Sequence, residues 1–220
     1  MLKYPCLVLD HDDTVVQSEA TVNYPYFCHF LDRIRPGAKI SAEEYTLGCY
    51  AKDFVQMCKE KYNFTQEEQE AEYRGWKEYV QTHIADPFPG IKEVIMHQKA
   101  AGGLVCVVSQ STEETIRRHY LTHFGILPDL IYARDLPPEQ RKPAPYPLMD
   151  IMKKYNLSPS ELLVIDDMKQ GCEMARKVGS PVAFAAWGRQ NYPDILNDMS
   201  ALCDYTFHSV NQLNRFLFEE

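Results

Sequence analysis

Short, uninterrupted apolar runs recur along the chain at Cys6–Leu9, Leu104–Val108, Leu130–Tyr132, Leu162–Ile165 and Val182–Ala185. Runs this short and this free of polar residues predict strands buried on both faces. Helical stretches separate them, so the order reads as βαβ units around a mostly parallel sheet. Ser or Thr followed three positions on by Glu or Gln marks helix starts at Ser41/Glu44, Thr65/Glu68, Ser111/Glu114, Ser158/Glu161 and Ser209/Gln212. Pro159 fits the first helical position behind Ser158, where its missing N–H costs nothing.

Between about Val16 and Asp86 the pattern changes. No strand run occurs there, helix formers and aromatics dominate, and the segment closes on the breaker Asp86-Pro87-Phe88-Pro89-Gly90. This predicts a helical domain over residues 16–86, inserted into a core built from 1–15 and 87–220. Its aromatics (Tyr24, Tyr26, Phe27, Phe30, Tyr50, Phe54, Tyr73, Trp76, Tyr79) read mainly as that domain's own core. Glu67, Glu68, Glu70 and Glu72 read as a solvated helix face.

Composition narrows the function. A formal net charge of −8 argues against nucleic acid, whose partners carry a basic stripe, but leaves room for a small anion in a locally positive cleft. The apolar run before Asp10 is too short for a signal segment or a membrane span. Seven scattered cysteines without a C-x-x-C pair read as reduced thiols. The expectation is a soluble cytoplasmic protein without a nucleic-acid or membrane partner.

The acids Asp10, Asp12 and Asp13 directly follow the first run, where an open α/β sheet binds its ligands. Carboxylates so close repel one another, and a divalent cation with oxygen ligands, of the magnesium type, relieves that repulsion. A carboxylate is also a competent nucleophile towards phosphorus, and a second can move the proton. Taken alone, the cluster could equally be an acidic turn. Three further positions lie at comparable places. Ser109 ends the second run and is a candidate phosphate holder before a helix. Lys142, stiffened by Pro143 and Pro145, is a candidate clamp. Asp166 and Asp167 end the fourth run as a candidate metal ligand and its support. His119 and His123 have zinc-like spacing, but Tyr120 stands where the H-E-x-x-H pattern needs glutamate.

These motifs, in this order, resemble the haloacid dehalogenase superfamily, in its phosphatase branch with a helical cap. They are Leu9-Asp10-His11-Asp12-Asp13-Thr14, Val108-Ser109-Gln110, Lys142-Pro143 and Ile165-Asp166-Asp167. The resemblance implies a doubly wound parallel sheet of Rossmann type with an inserted small α-helical cap that closes to exclude water. It implies Asp10 as nucleophile and Asp12 as general acid and base. Ser109, Gln110 and Lys142 are implied as phosphate ligands, and Mg2+ on Asp10, Asp12 (through its carbonyl) and Asp166 with Asp167 in support. The implied partner is a small phosphorylated metabolite, of the phosphoglycolate or sugar-phosphate kind, and the expected state is a monomer. Tyr50 and Lys52 fall in the cap segment that is similar to the specificity region of relatives. Asp13 departs from the family's usual glycine, Ile165 replaces a common glycine, and Gln170 stands where some members have aspartate. Ala51 stands where sugar-phosphate mutases have arginine, which weakens the phosphomutase alternative of β-phosphoglucomutase type. A non-catalytic metabolite-binding member of the same fold is the other alternative.

Overall fold

The computed structural model describes residues 2–219. Its strands are β1 (Cys6–Leu9), β2 (Leu104–Val108), β3 (Leu130–Tyr132), β4 (Leu162–Asp166), β5 (Val182–Ala185) and β6 (Tyr205–Phe207). They form one parallel sheet in the order β3-β2-β1-β4-β5-β6. Strands β1, β4 and β5 are buried throughout, as an apolar run covered by helices on both faces requires. Strand β6 was not expected from the sequence. Tyr205 and Thr206 are only half-buried, so the segment lacks a continuous apolar signature.

Helices α1 (Tyr24–Ile34), α2 (Ala42–Lys52), α3 (Phe54–Tyr62) and α4 (Gln66–Thr82) all fall between β1 and β2. The others are α5 (Ile91–Ala100), α6 (Glu113–Phe124), α7 (Tyr146–Tyr155), α8 (Lys169–Val178), α9 (Pro193–Leu202) and α10 (Val210–Phe218). The chain divides into two compact units, one of residues up to Gln17 with those from Asp86 onward, the other Ser18–Ala85. The first holds the sheet. The second has its own core, in which Phe27, Phe30, Leu31, Tyr45, Met57 and Phe64 are buried against one another. Tyr50 and Tyr73 stand outside that core at intermediate burial. Among the described residues, no helix is long and apolar enough to cross a membrane.

Three local expectations need correction. The α6 cap is Thr112, whose side chain accepts from the Thr115 N–H, one position beyond the expected Ser111/Glu114 box. The Ser158/Glu161 box does form, but it opens a single 3-10 turn over Pro159–Glu161 that runs straight into β4. Glu72 is buried rather than solvated. It shares the inward stripe of α4 with Trp76 and Val80, four and eight positions on, and the periodicity carries it inside.

Sheet order fixes where a ligand belongs. From β1 the chain builds outward through β2 and β3, then returns to place β4 on the other side of β1. The carboxyl ends of β1 and β4 therefore flank the topological switch point, where open sheets leave a crevice. Register aligns Leu9 with Val107 on one side and with Ile165 on the other, so the residues that follow emerge together.

Candidate active site

Asp10 leaves β1 still tied to the sheet, its N–H donating to the Ile165 carbonyl at 2.8 Å. The chain then turns sharply. The Val15 and Val16 N–H groups donate to the His11 carbonyl at 2.9 and 3.1 Å, and the Asp13 N–H donates to Val16 at 2.7 Å. Asp13 sits at φ 54°, in the left-handed region that a short polar side chain tolerates better than most. The turn separates its acids. Asp10 and Asp13 are buried, whereas Asp12 is half-buried.

Lys142 comes from the loop before α7 and is buried at the strand ends. Its ammonium donates to Asp10 Oδ1 at 2.6 Å and to Asp166 Oδ2 at 2.8 Å. Gln110 Nε2 donates to the Lys142 carbonyl at 3.0 Å, fastening the lysine loop to the end of β2. Ser109 follows β2 directly, and its buried hydroxyl accepts from the Ser111 N–H at 3.1 Å. Asp166 Oδ1 accepts from the Met168 N–H at 2.9 Å, which fixes the carboxylate just before α8.

Electrostatics here is a contest between burial and pairing. Burial pushes the Asp10 carboxyl well above the usual carboxylate range; Lys142 opposes this, while Asp166, Asp167 and Asp12 add to it. Burial likewise raises Asp166, against the pull of Lys142. For Lys142 burial acts downward, but the two aspartates outweigh it and the ammonium is held above its ordinary value. The cluster thus favours added positive charge.

The residues fit a metal on their own evidence. Asp10, Asp166 and Asp167 each offer a carboxylate oxygen, and these oxygens all lie within 4.8 Å of one another. An all-oxygen set of hard ligands suits magnesium or calcium rather than a thiophilic ion. The Asp12 side chain is not in that trio. Asp167 also accepts from Arg189 Nε at 2.8 Å. Tyr50 and Lys52 lie on α2 in the helical unit, where Lys52 pairs with Glu60.

Three further contributors were not expected from the sequence. Arg189 was one. Gly171 was another, a glycine inside a helix and so a visible sign of close packing. The third was a buried histidine pair. His119 takes part in no metal-binding group among the described residues, and its Nδ1 lies 2.8 Å from His11 Nε2. Burial, then His123, lowers His11 to about 3. Burial, then His11, lowers His119 to about 3. Both rings are neutral, one donating its N–H to the other.

Comparison with known proteins fits this geometry. A family model described as haloacid dehalogenase-like hydrolase matches residues 7–185. A phosphoglycolate phosphatase of Thiobacillus denitrificans is 31% identical over 112 residues, covering 50% of this chain and 48% of that protein. The chain spans about half the length of the curated relatives it matches. A haloacid dehalogenase-like protein of Agrobacterium tumefaciens superposes with a TM-score of 0.78 at 16% identity, covering 97% of each chain. The CbbY protein of Rhodobacter sphaeroides, solved with phosphate, gives 0.71 at 16% identity, over 97% of this chain and 96% of that one. At such identities the superpositions establish the fold.

Proposed function

The chain belongs to the haloacid dehalogenase-like hydrolase family, and on that premise we propose that it is a magnesium-dependent phosphatase acting on a small phosphate monoester. The observation that carries this reading is the single ammonium of Lys142 bound to both Asp10 and Asp166, from the ends of two adjacent strands. Phosphoglycolate, the substrate in the names of three relatives, is the first monoester to try, with sugar phosphates next.

In the proposed reaction a carboxylate oxygen of Asp10 attacks phosphorus, and the bond from phosphorus to the ester oxygen breaks. Asp12 donates its proton to that departing oxygen, releasing the alcohol and leaving an aspartyl-phosphate. Asp12, now ionised, takes a proton from water as the water oxygen attacks phosphorus, which returns Asp10 and frees inorganic phosphate. An ammonium has three donors, of which Lys142 spends two on Asp10 and Asp166; the third is assigned to a phosphoryl oxygen. Ser109 and Gln110 hold the other oxygens. Asp10, the Asp12 carbonyl and Asp166 would hold magnesium, with Asp167 beside it, and the bound ion supplies charge neutralisation for the phosphoryl group. In the same reading residues 16–86 act as the specificity cap, with Tyr50 and Lys52 among its substrate-reading side chains. The seven free thiols fit a reducing, cytoplasmic setting, and we take the working state to be a monomer.

The test is phosphate release over a panel of small monoesters, with and without magnesium, by the native chain and by Asp10→Asn. Release by the native chain alone, with both proteins equally folded by circular dichroism, is the expected result. Comparable release by Asp10→Asn would remove the nucleophile. Tight metabolite binding without release would turn the reading to a binding protein.

A further inference from the structure

We infer that Arg189 is a positioning residue for the metal end of this site, matched to Asp13, and that together they set the excess negative charge that a divalent cation reduces. The inference rests on the metal-dependent reading above and concerns residues that reading does not use. Arg189 lies in the loop after β5 and is 4% exposed. Its Nε and Nη2 lie 2.8 and 2.5 Å from the same oxygen, Asp167 Oδ2. Nη2 also reaches Asp13 Oδ2 at 3.4 Å. The surrounding loop is fitted to the same turn. A Cβ at Gly188 would lie 2.2 Å from the Asp13 carbonyl oxygen, and Trp187 Nε1 donates to the Thr14 carbonyl at 3.1 Å.

Burial makes this charge balance matter. Asp10, Asp13, Asp166 and Asp167 are buried carboxylates, and Lys142 and Arg189 are the buried cations set among them. Four buried acids face two buried cations, and half-buried Asp12 adds to the excess of negative charge that a divalent ion would reduce. Asp13 stands where the resemblance leads one to expect glycine, so it adds a buried negative charge beside the metal residues. Arg189 cancels that addition. Its two donors on Asp167 Oδ2 also hold that oxygen in place, so Asp167 supports the ion without collapsing onto it. A guanidinium suits this work because its donors lie in a rigid fork and it stays ionised when buried.

Both effects give the same sign on removal of the cation. Without Arg189 the site is more negative and Asp167 is released towards the ion, so a divalent cation binds more tightly. Without the Asp13 charge that excess falls and the ion binds more weakly. Manganese binding to the full chain, followed by the paramagnetic resonance of the free ion, reads this without any turnover. Asp13→Asn keeps the shape and tolerates the turn, and should weaken manganese binding about tenfold. Arg189→Met should tighten it about tenfold, and the double variant should return to within about threefold of the native chain. Arg189→Lys keeps the charge and should also stay within about threefold of native.

A purely structural arginine would give no such reversal of sign between Asp13→Asn and Arg189→Met. Weaker or unchanged binding by folded Arg189→Met, or unchanged binding by Asp13→Asn, overturns the inference. If Arg189→Met does not fold, Asp13→Asn and Arg189→Lys decide it alone. A native chain that binds no manganese at millimolar concentration defeats the metal reading itself, which is a different result.

Discussion

A methyl group at Gly171 would lie 2.2 Å from the Asp166 carboxylate, well inside contact distance. The first turn of α8 is thereby packed directly on a candidate metal ligand. Within a helix, alanine in place of glycine ordinarily stabilises by about 1 kcal/mol. At this position the carboxylate must move or the helix must shift. Gly171→Ala is therefore expected to raise the magnesium concentration for half-maximal phosphate release and to lower the thermal midpoint. A variant that is both more stable and unchanged in its magnesium requirement would contradict the close approach.

Lys142 carries a second expectation. Its removal leaves Asp10 and Asp166 buried without their shared counter-charge. Breaking a buried pair by deleting one partner costs about 3–5 kcal/mol, because the remaining charge stays desolvated. Lys142→Ala is expected to lose stability of that order in urea denaturation under metal-free conditions. Magnesium should restore part of the loss by supplying positive charge at the same carboxylates. Equal stability of variant and native chain without metal would show that the ammonium is not needed there.

Much of this centre was legible in the sequence because its elements are local. Runs such as Leu162–Ile165 announce a buried strand, and an acid just beyond such a run falls at the sheet's ligand edge. Asp10 and Asp166 share that position by register, Ser109 follows one residue beyond it on β2, and the order of the motifs brought Lys142 with them. What escaped was set by long-range contact. Arg189 meets Asp13 across 176 positions, and His11 meets His119 across 108, with no periodicity to mark either pair. Local competition blurred the rest. Thr112 rather than Ser111 caps α6, since both hydroxyls precede acidic residues and only the turn after β2 decides between them.

The histidine pair gives a pH dependence with a definite sign. His11 and His119 are held near about 3, below the ordinary value of 6.5, chiefly by burial. Between those values the unfolded chain binds protons that the folded chain refuses. Their contribution to stability is full above about 6.5 and is lost as pH falls towards about 3. Asp10 and Asp166, raised by burial, act oppositely, favouring the folded state on acidification. His123 and Arg118 also disfavour the charged form of His119, and Asp12 favours it. His119→Asn keeps a polar group for His11 but does not titrate. Its unfolding free energy from urea denaturation should depend less steeply on pH, by up to about 1.4 kcal/mol per pH unit in the middle of that window. Parallel pH profiles for the two proteins would exclude a titrating His119.

Metal binding should itself be visible as stability. An ion that binds only the folded chain stabilises it by about 2.7 kcal/mol at a hundred times its dissociation constant. Magnesium is therefore expected to raise the thermal midpoint in a concentration-dependent way near neutral pH, and a chelator should reverse the rise. Oxygen ligands must be ionised to bind, so protons compete with the ion. Because burial holds Asp10 and Asp166 above the usual carboxylate range, that competition should begin at higher pH than for exposed aspartates. The magnesium-induced shift should shrink as pH is lowered from 7.5 to 5, and Asp166→Asn should abolish it at both. A shift of native size in Asp166→Asn would place the stabilising ion elsewhere on the molecule, and the convergence of Asp10, Lys142 and Asp166 would need another explanation.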